Sequence, residues 1–122
     1  MNSIYEQRIK NKIQELSLLI LTSHLDISFD EDTHILFVKG TLTFVDESKL
    51  EFTEKISSFG HRYRFHYMDK NKHLIARWDN VPHYPNLANF PHHKHTLQGI
   101  ESSSDLNLIE ILEEIKELIK IF

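Results

Sequence analysis

Four of the nine histidines and all three prolines of this 122-residue chain fall within residues 77–95, RWDNVPHYPNLANFPHHKH. Imidazole titrates near neutrality and is the commonest nitrogen ligand for metals, so this concentration points to proton transfer or metal binding. Pro82, Pro85 and Pro91 fix φ and withdraw backbone donors, which makes the segment stiff and irregular. Three readings compete. His92 with His95 or His83 has the side chains to hold zinc or another divalent ion at the His-rich loop. The same histidines could instead shuttle protons in phosphodiester cleavage, with Arg64, Arg77 or Lys94 countering the developing phosphate charge. In the simplest reading they are polar loop residues bonded to backbone carbonyls.

The elements that must position these residues follow from periodicity. Ser3 and Glu6 have capping-box spacing, and Tyr5, Ile9, Ile13, Leu16 and Ile20 recur at helical intervals, predicting a helix over residues 4–20. The period then changes to two: Leu25, Ile27 and Phe29 alternate with His24, Asp26 and Ser28. Strands are predicted over 34–45, where Gly40 marks a bulge or a close backbone approach, and over 49–56, the two forming a hairpin. Further strands are predicted over 61–68 and 73–79. Tyr63, Phe65 and Tyr67 with Leu74, Ala76 and Trp78 make an aromatic core face, and Arg62, Arg64, His66, Arg77 and Asp79 share the other. With Met68 opposite His73, Arg64 would face Arg77 and Arg62 would face Asp79. Asn107 with Glu110 starts a last helix, whose stripe is Leu108, Ile111, Leu112, Ile115, Leu118, Ile119 and Phe122. The expected fold is a single α+β domain over residues 1–122. It has an antiparallel sheet of about five strands, flanked by an N-terminal and a C-terminal helix, with a Pro/His-rich loop before the last helix.

Composition limits the chemistry. Fourteen Lys plus Arg against eighteen Asp plus Glu leave a formal charge of −4, so any nucleic-acid site must be a local basic patch. The absence of cysteine removes disulfides, thiol catalysis and thiolate zinc sites, and a reducing cytoplasm is the expected compartment. No apolar run approaches the roughly 20 residues of a membrane span, and no secretory signal is visible.

Four motifs in order carry a resemblance: F-x-D-x-S-x-L-x-F at 44–52, R-Y-R-F-H-Y at 62–67, R-x-D-N-x-P-H-x-P at 77–85 and F-P-H-H-K-H at 90–95. Over residues 20–115 the chain resembles the TumE family of prokaryotic toxin–antitoxin proteins. The matching positions are Arg62, Tyr63, His66, Tyr67, Arg77, Asp79, Asn80, His83, His92, His93 and His95. Tyr84 stands where a second histidine is expected after His83, and Glu47 stands where the Asp-Gly-Ser turn has glycine. The resemblance implies a small cytoplasmic toxin encoded beside an antitoxin protein and directed at RNA or translation. The expectation is a metal-independent ribonuclease with no required cofactor. His83, His92, His95 and Asp79 would be catalytic, and Arg62, Tyr63, Arg64, His66, Arg77, Asn80, His93 and Lys94 would hold substrate. Loop histidines that lie near Arg62, Arg64 and Arg77 should titrate low, since like charge disfavours imidazolium. Antitoxin, RNA and a second copy of the chain are the expected partners. The alternative is a non-catalytic module with a structural metal or a protein partner at the His-rich loop.

Overall fold

The computed structural model describes residues 3–119. The element order is α1 (Ser3–Glu15), β1 (Ile20–Asp30), β2 (Ile35–Phe44), β3 (Lys49–Ser57), β4 (Gly60–Met68), β5 (Leu74–Asp79), β6 (His93–Thr96), β7 (Gly99–Ser102) and α2 (Leu108–Leu118). All seven strands form one antiparallel meander in chain order. The α+β class and the two helices agree with the sequence reading, but the sheet has seven strands rather than about five. The two extra strands lie in and just after the segment expected to be a Pro/His-rich loop.

Helix α1 ends five residues before the predicted stop. Its apolar period runs on through Leu16 and Ile20, but the Leu19 carbonyl accepts from the amide of Val45 (2.9 Å) and Ile20 pairs with Phe44, so the β2 edge captures the chain. Tertiary pairing here overrides a helical pattern. In α2 the local signals hold: the Asn107 side chain accepts from the Glu110 amide and the Glu110 carboxylate accepts from the Asn107 amide, closing a capping box. The Ser3 side chain and Lys120, Ile121 and Phe122, also part of the predicted helices, lie outside the described residues.

Both helices cover the same face of the sheet. Ile9, Leu16, Leu108, Ile111, Leu112 and Ile115 join Leu36, Val38, Leu42, Phe44, Leu50, Phe65, Tyr67 and Trp78 in one core. Burying each large apolar side chain contributes roughly 1.5–3 kcal/mol. Within this core sits a carboxylate, Glu54, held by the Tyr5 hydroxyl (2.6 Å) and His61 Nε2 (2.8 Å), while the Leu108 amide donates back to Tyr5 Oη (3.1 Å). One phenol thus ties α1, β3 and α2 together. Neither described helix packs on the other face, where polar side chains alternate outward.

Candidate functional site

Successive side chains of a strand point to opposite faces, so the register decides which polar residues meet on the helix-free face. The pairings draw two rows across the sheet. One runs His24, Thr41, Glu51, His66, Arg77 and His95; the other runs Asp26, Lys39, Thr53, Arg64, Asp79 and His93. Over β1–β4 the rows line an open concavity of about 590 Å³. Gly40 forms part of its floor, because a Cβ there would stand 2.3 Å from the His24 carbonyl oxygen and 2.9 Å from Phe52 Cζ. This is the close backbone approach that a strand glycine signals.

The rows converge at β5 and β6 on the buried carboxylate of Asp79, 4% exposed. Its Oδ1 lies 2.8 Å from His93 Nε2 and accepts from the Val81 amide at 3.1 Å; its Oδ2 lies 3.4 Å from Arg77 Nε and 3.8 Å from His95 Nε2. His93, 2% exposed, donates from Nδ1 to the Pro91 carbonyl at 2.9 Å. The Tyr84 ring lies edge-on to His93 (4.9 Å) and His95 (5.9 Å) and walls the group on the loop side. Arg77 Nε and His66 Nδ1 are buried without a hydrogen-bond partner, so two polar groups on this face have unspent capacity.

Burial first, then the charges of Arg64 and Arg77, pushes the His66 pKa below the ordinary histidine value. Burial first, then Arg77, does the same to His95, with Asp79 pulling the other way. His95 is the loop histidine that shifts in the direction expected from like charge, with desolvation the larger cause and Arg77 the arginine that acts.

A sequence model of the family described as Toxin TumE matches residues 9–119. The chain belongs to the TumE toxin family. No curated protein and no solved structure matches it.

The TumE-like motifs now have places in the fold. Residues 44–52 form the β2–β3 hairpin, and Glu47, in the position of the turn glycine, adopts φ +69°, the left-handed region that glycine occupies freely. Residues 62–67 are the body of β4. Residues 77–85 finish β5 and enter the loop, and residues 90–95 lead into β6. Tyr84, in the place of a second histidine, contributes packing rather than a ligand atom.

Of the expected site residues, Arg64, His66, Arg77, Asp79, His93 and His95 share the helix-free face. The hairpin register differs by two residues from the expected one: Arg64 faces Asp79, His66 faces Arg77, and Arg62 lies opposite Lys55, beyond the end of β5. The like-charge Arg64–Arg77 pair therefore does not form. Tyr63, His92 and Lys94 lie on the helix side. Tyr63 Oη bonds His92 Nδ1 (2.8 Å) with the rings nearly parallel, and Lys94 Nζ sits 5.2 Å above the Trp78 ring, with Glu114 of α2 at 3.9 Å. The Asn80 side chain spends its amide on β4, accepting from the Tyr63 amide (3.1 Å) and donating to the His61 carbonyl (2.5 Å). His83 is exposed on the loop with its ring edge-on to Tyr84. The catalytic set expected from sequence is thus split: His95 and Asp79 come together, while His92 lies across the sheet and His83 outside. Sequence reasoning missed His24, Glu51 and the rest of the β1–β3 half of the concavity. Its signal was the polar alternation of those strands, which only the register turns into a site.

Proposed function

We propose that this TumE-family protein is the toxin of a toxin–antitoxin module, that it works in the cytoplasm against RNA, and that a protein antitoxin restrains it. The observation that carries this reading is the cross-strand row His66, Arg77, His95 beside Arg64. Directly opposite residues on one sheet face have Cβ atoms about 5 Å apart, so Arg77 has an imidazole on each side and Arg64 diagonal to it. Two arginines placed diagonally on one sheet face can both reach the oxygens of a phosphodiester, because each presents a fork of donors with a fixed charge on a long side chain. His66 beside them has its pKa held down by burial and both arginines, which keeps the imidazole in its basic form at neutral pH. It is placed to take a proton from a ribose 2′-hydroxyl as that oxygen attacks the phosphorus and the bond to the 5′-oxygen of the next nucleotide breaks, the leaving oxygen taking its proton from water and the arginines countering the charge on the phosphate. The concavity over β1–β4 would receive the adjoining nucleotide.

The test is RNA cleavage by the purified chain, followed on a labelled single strand, together with growth of bacteria expressing it. Wild type should cut RNA and arrest growth, and Arg64→Gln and His66→Gln should each lose roughly tenfold or more of the cleavage rate while remaining folded. RNA left intact by wild type together with normal growth, or full activity in His66→Gln, refutes the reading.

A further inference from the structure

Beyond the RNA reading, and without resting on it, the geometry points to a metal site. We propose that Asp79, His93 and His95 bind one divalent transition-metal ion through His93 Nε2, His95 Nε2 and the Asp79 carboxylate. One potential ligand atom from each residue lies within 4.8 Å of the other two. Tetrahedral ligands at about 2.0–2.1 Å from a common ion stand roughly 3.3–3.4 Å apart, so the widest pair has to close by no more than about 1.5 Å, a side-chain movement that leaves the backbone in place. The contributing atoms already point inward: Asp79 Oδ1 is 2.8 Å from His93 Nε2, and Oδ2 is 3.8 Å from His95 Nε2.

Three features distinguish this group from a chance encounter of polar residues. His93 and His95 are two apart on β6 and therefore share a face, and Asp79 is the direct cross-strand partner of His93. His93 donates its remaining ring N–H to the Pro91 carbonyl, which fixes Nε2 as the inward nitrogen. Metal-ligating histidines are oriented in this way, by a carbonyl or carboxylate on the far nitrogen. Finally, Asp79 and His93 are almost wholly buried and His95 is half-buried, which leaves one open side toward the sheet face. Two imidazoles and one carboxylate around an open side suit zinc, cobalt, nickel, manganese or ferrous iron rather than magnesium or calcium, which prefer all-oxygen sets. A cation here makes His95 a ligand, replacing the metal-independent proton carrier expected from the sequence.

The neighbouring charge makes the proposal specific. Arg77 Nε lies 3.4 Å from Asp79 Oδ2 and has no hydrogen bond, so its guanidinium opposes a cation at this point. Removing that charge should therefore tighten metal binding, the reverse of its expected effect on RNA cleavage.

The experiment titrates the full chain with Co²⁺ and follows visible d–d absorption, then competes with Zn²⁺ and checks thermal stability with Mg²⁺ as the control. The expected result is saturable one-to-one binding, displaced by Zn²⁺, a raised melting temperature with Zn²⁺ and no rise with Mg²⁺. His95→Ala, at the half-buried corner of the group, should weaken binding by roughly tenfold or more, and Arg77→Gln should strengthen it. The absence of saturable Co²⁺ binding, binding undiminished in His95→Ala, or binding weakened in Arg77→Gln would overturn the proposal. Because the readout is bound metal, the result is separable from whether RNA is cut.

Discussion

Removing a single oxygen from Tyr5 should test the polar centre of the helix-covered core. Glu54 is 2% exposed, and its Oε1 accepts from Tyr5 Oη at 2.6 Å while its Oε2 takes His61 Nε2 at 2.8 Å. Burial and the adjacent Glu54 charge raise the Tyr5 pKa, so the phenol keeps its proton and remains the donor. Tyr5→Phe retains the ring packing but leaves Oε1 without its donor and the buried amide of Leu108, the first residue of α2, without its 3.1 Å acceptor. A hydrogen bond to a charged group contributes about 1.5–3 kcal/mol and a neutral one about 1, so the summed loss should be about 2–4 kcal/mol. Urea unfolding followed by far-UV circular dichroism measures it. At an m-value of about 1–3 kcal/mol per molar the midpoint should drop by roughly 1–2 M with the slope unchanged. A loss under about 0.5 kcal/mol would show that Glu54 does not depend on this donor, and the account of the core would fail.

The histidine on the other side of Glu54 sets a pH dependence. Burial works to lower the His61 pKa, but hydrogen bonds to Glu54 and Asp105 more than offset it and leave it raised above 6.5. Its stabilisation is therefore complete below about pH 6.5 and is lost as pH rises through the folded value; His66 and His95, shifted down, run in the opposite sense. The difference in unfolding free energy between wild type and His61→Gln, measured from pH 5 to 9, should shrink with rising pH, and a flat difference refutes it. Gly40→Ala should cost about 1–3 kcal/mol, or prevent folding, because the new methyl meets the His24 carbonyl rather than a movable side chain; thermal unfolding near the wild-type midpoint would contradict the close approach. Glu47→Gly should stabilise by up to about 1 kcal/mol, since it relieves a left-handed φ of +69°, and a lower melting temperature would count against that turn.

Which parts of this fold were legible in the sequence depends on whether their cause is local. The capping box at Asn107 and Glu110, the alternation of Leu36, Val38, Leu42 and Phe44, and the aromatic face of Tyr63, Phe65 and Tyr67 all arise within a few residues, and each is found as expected. Strands β6 and β7 have no such signature. HKHT presents histidines where a strand usually presents apolar residues, and GIES is exposed at all four positions, so only pairing to β5 makes them strands. The site is one step further from local signals. A register displaced by two residues leaves every side chain on its proper face, which is why the aromatic face and the arginine face are as expected although their cross-strand partners differ. In the expected register Arg77 would face Arg64, and no row would join His66 to His95 through Arg77. Met68 pairs with Leu74 instead of His73, and the irregularity between Tyr67 and Met68 adds the second residue of displacement, which brings Arg77 opposite His66 and Asp79 opposite Arg64. Pairing to β6 then sets His95 beside Arg77 and His93 beside Asp79. The arrangement of this face therefore depends on the β4–β5 register and one short strand, so a perturbation that shifts that register by two residues should abolish the proposed RNA cleavage while leaving the aromatic core intact.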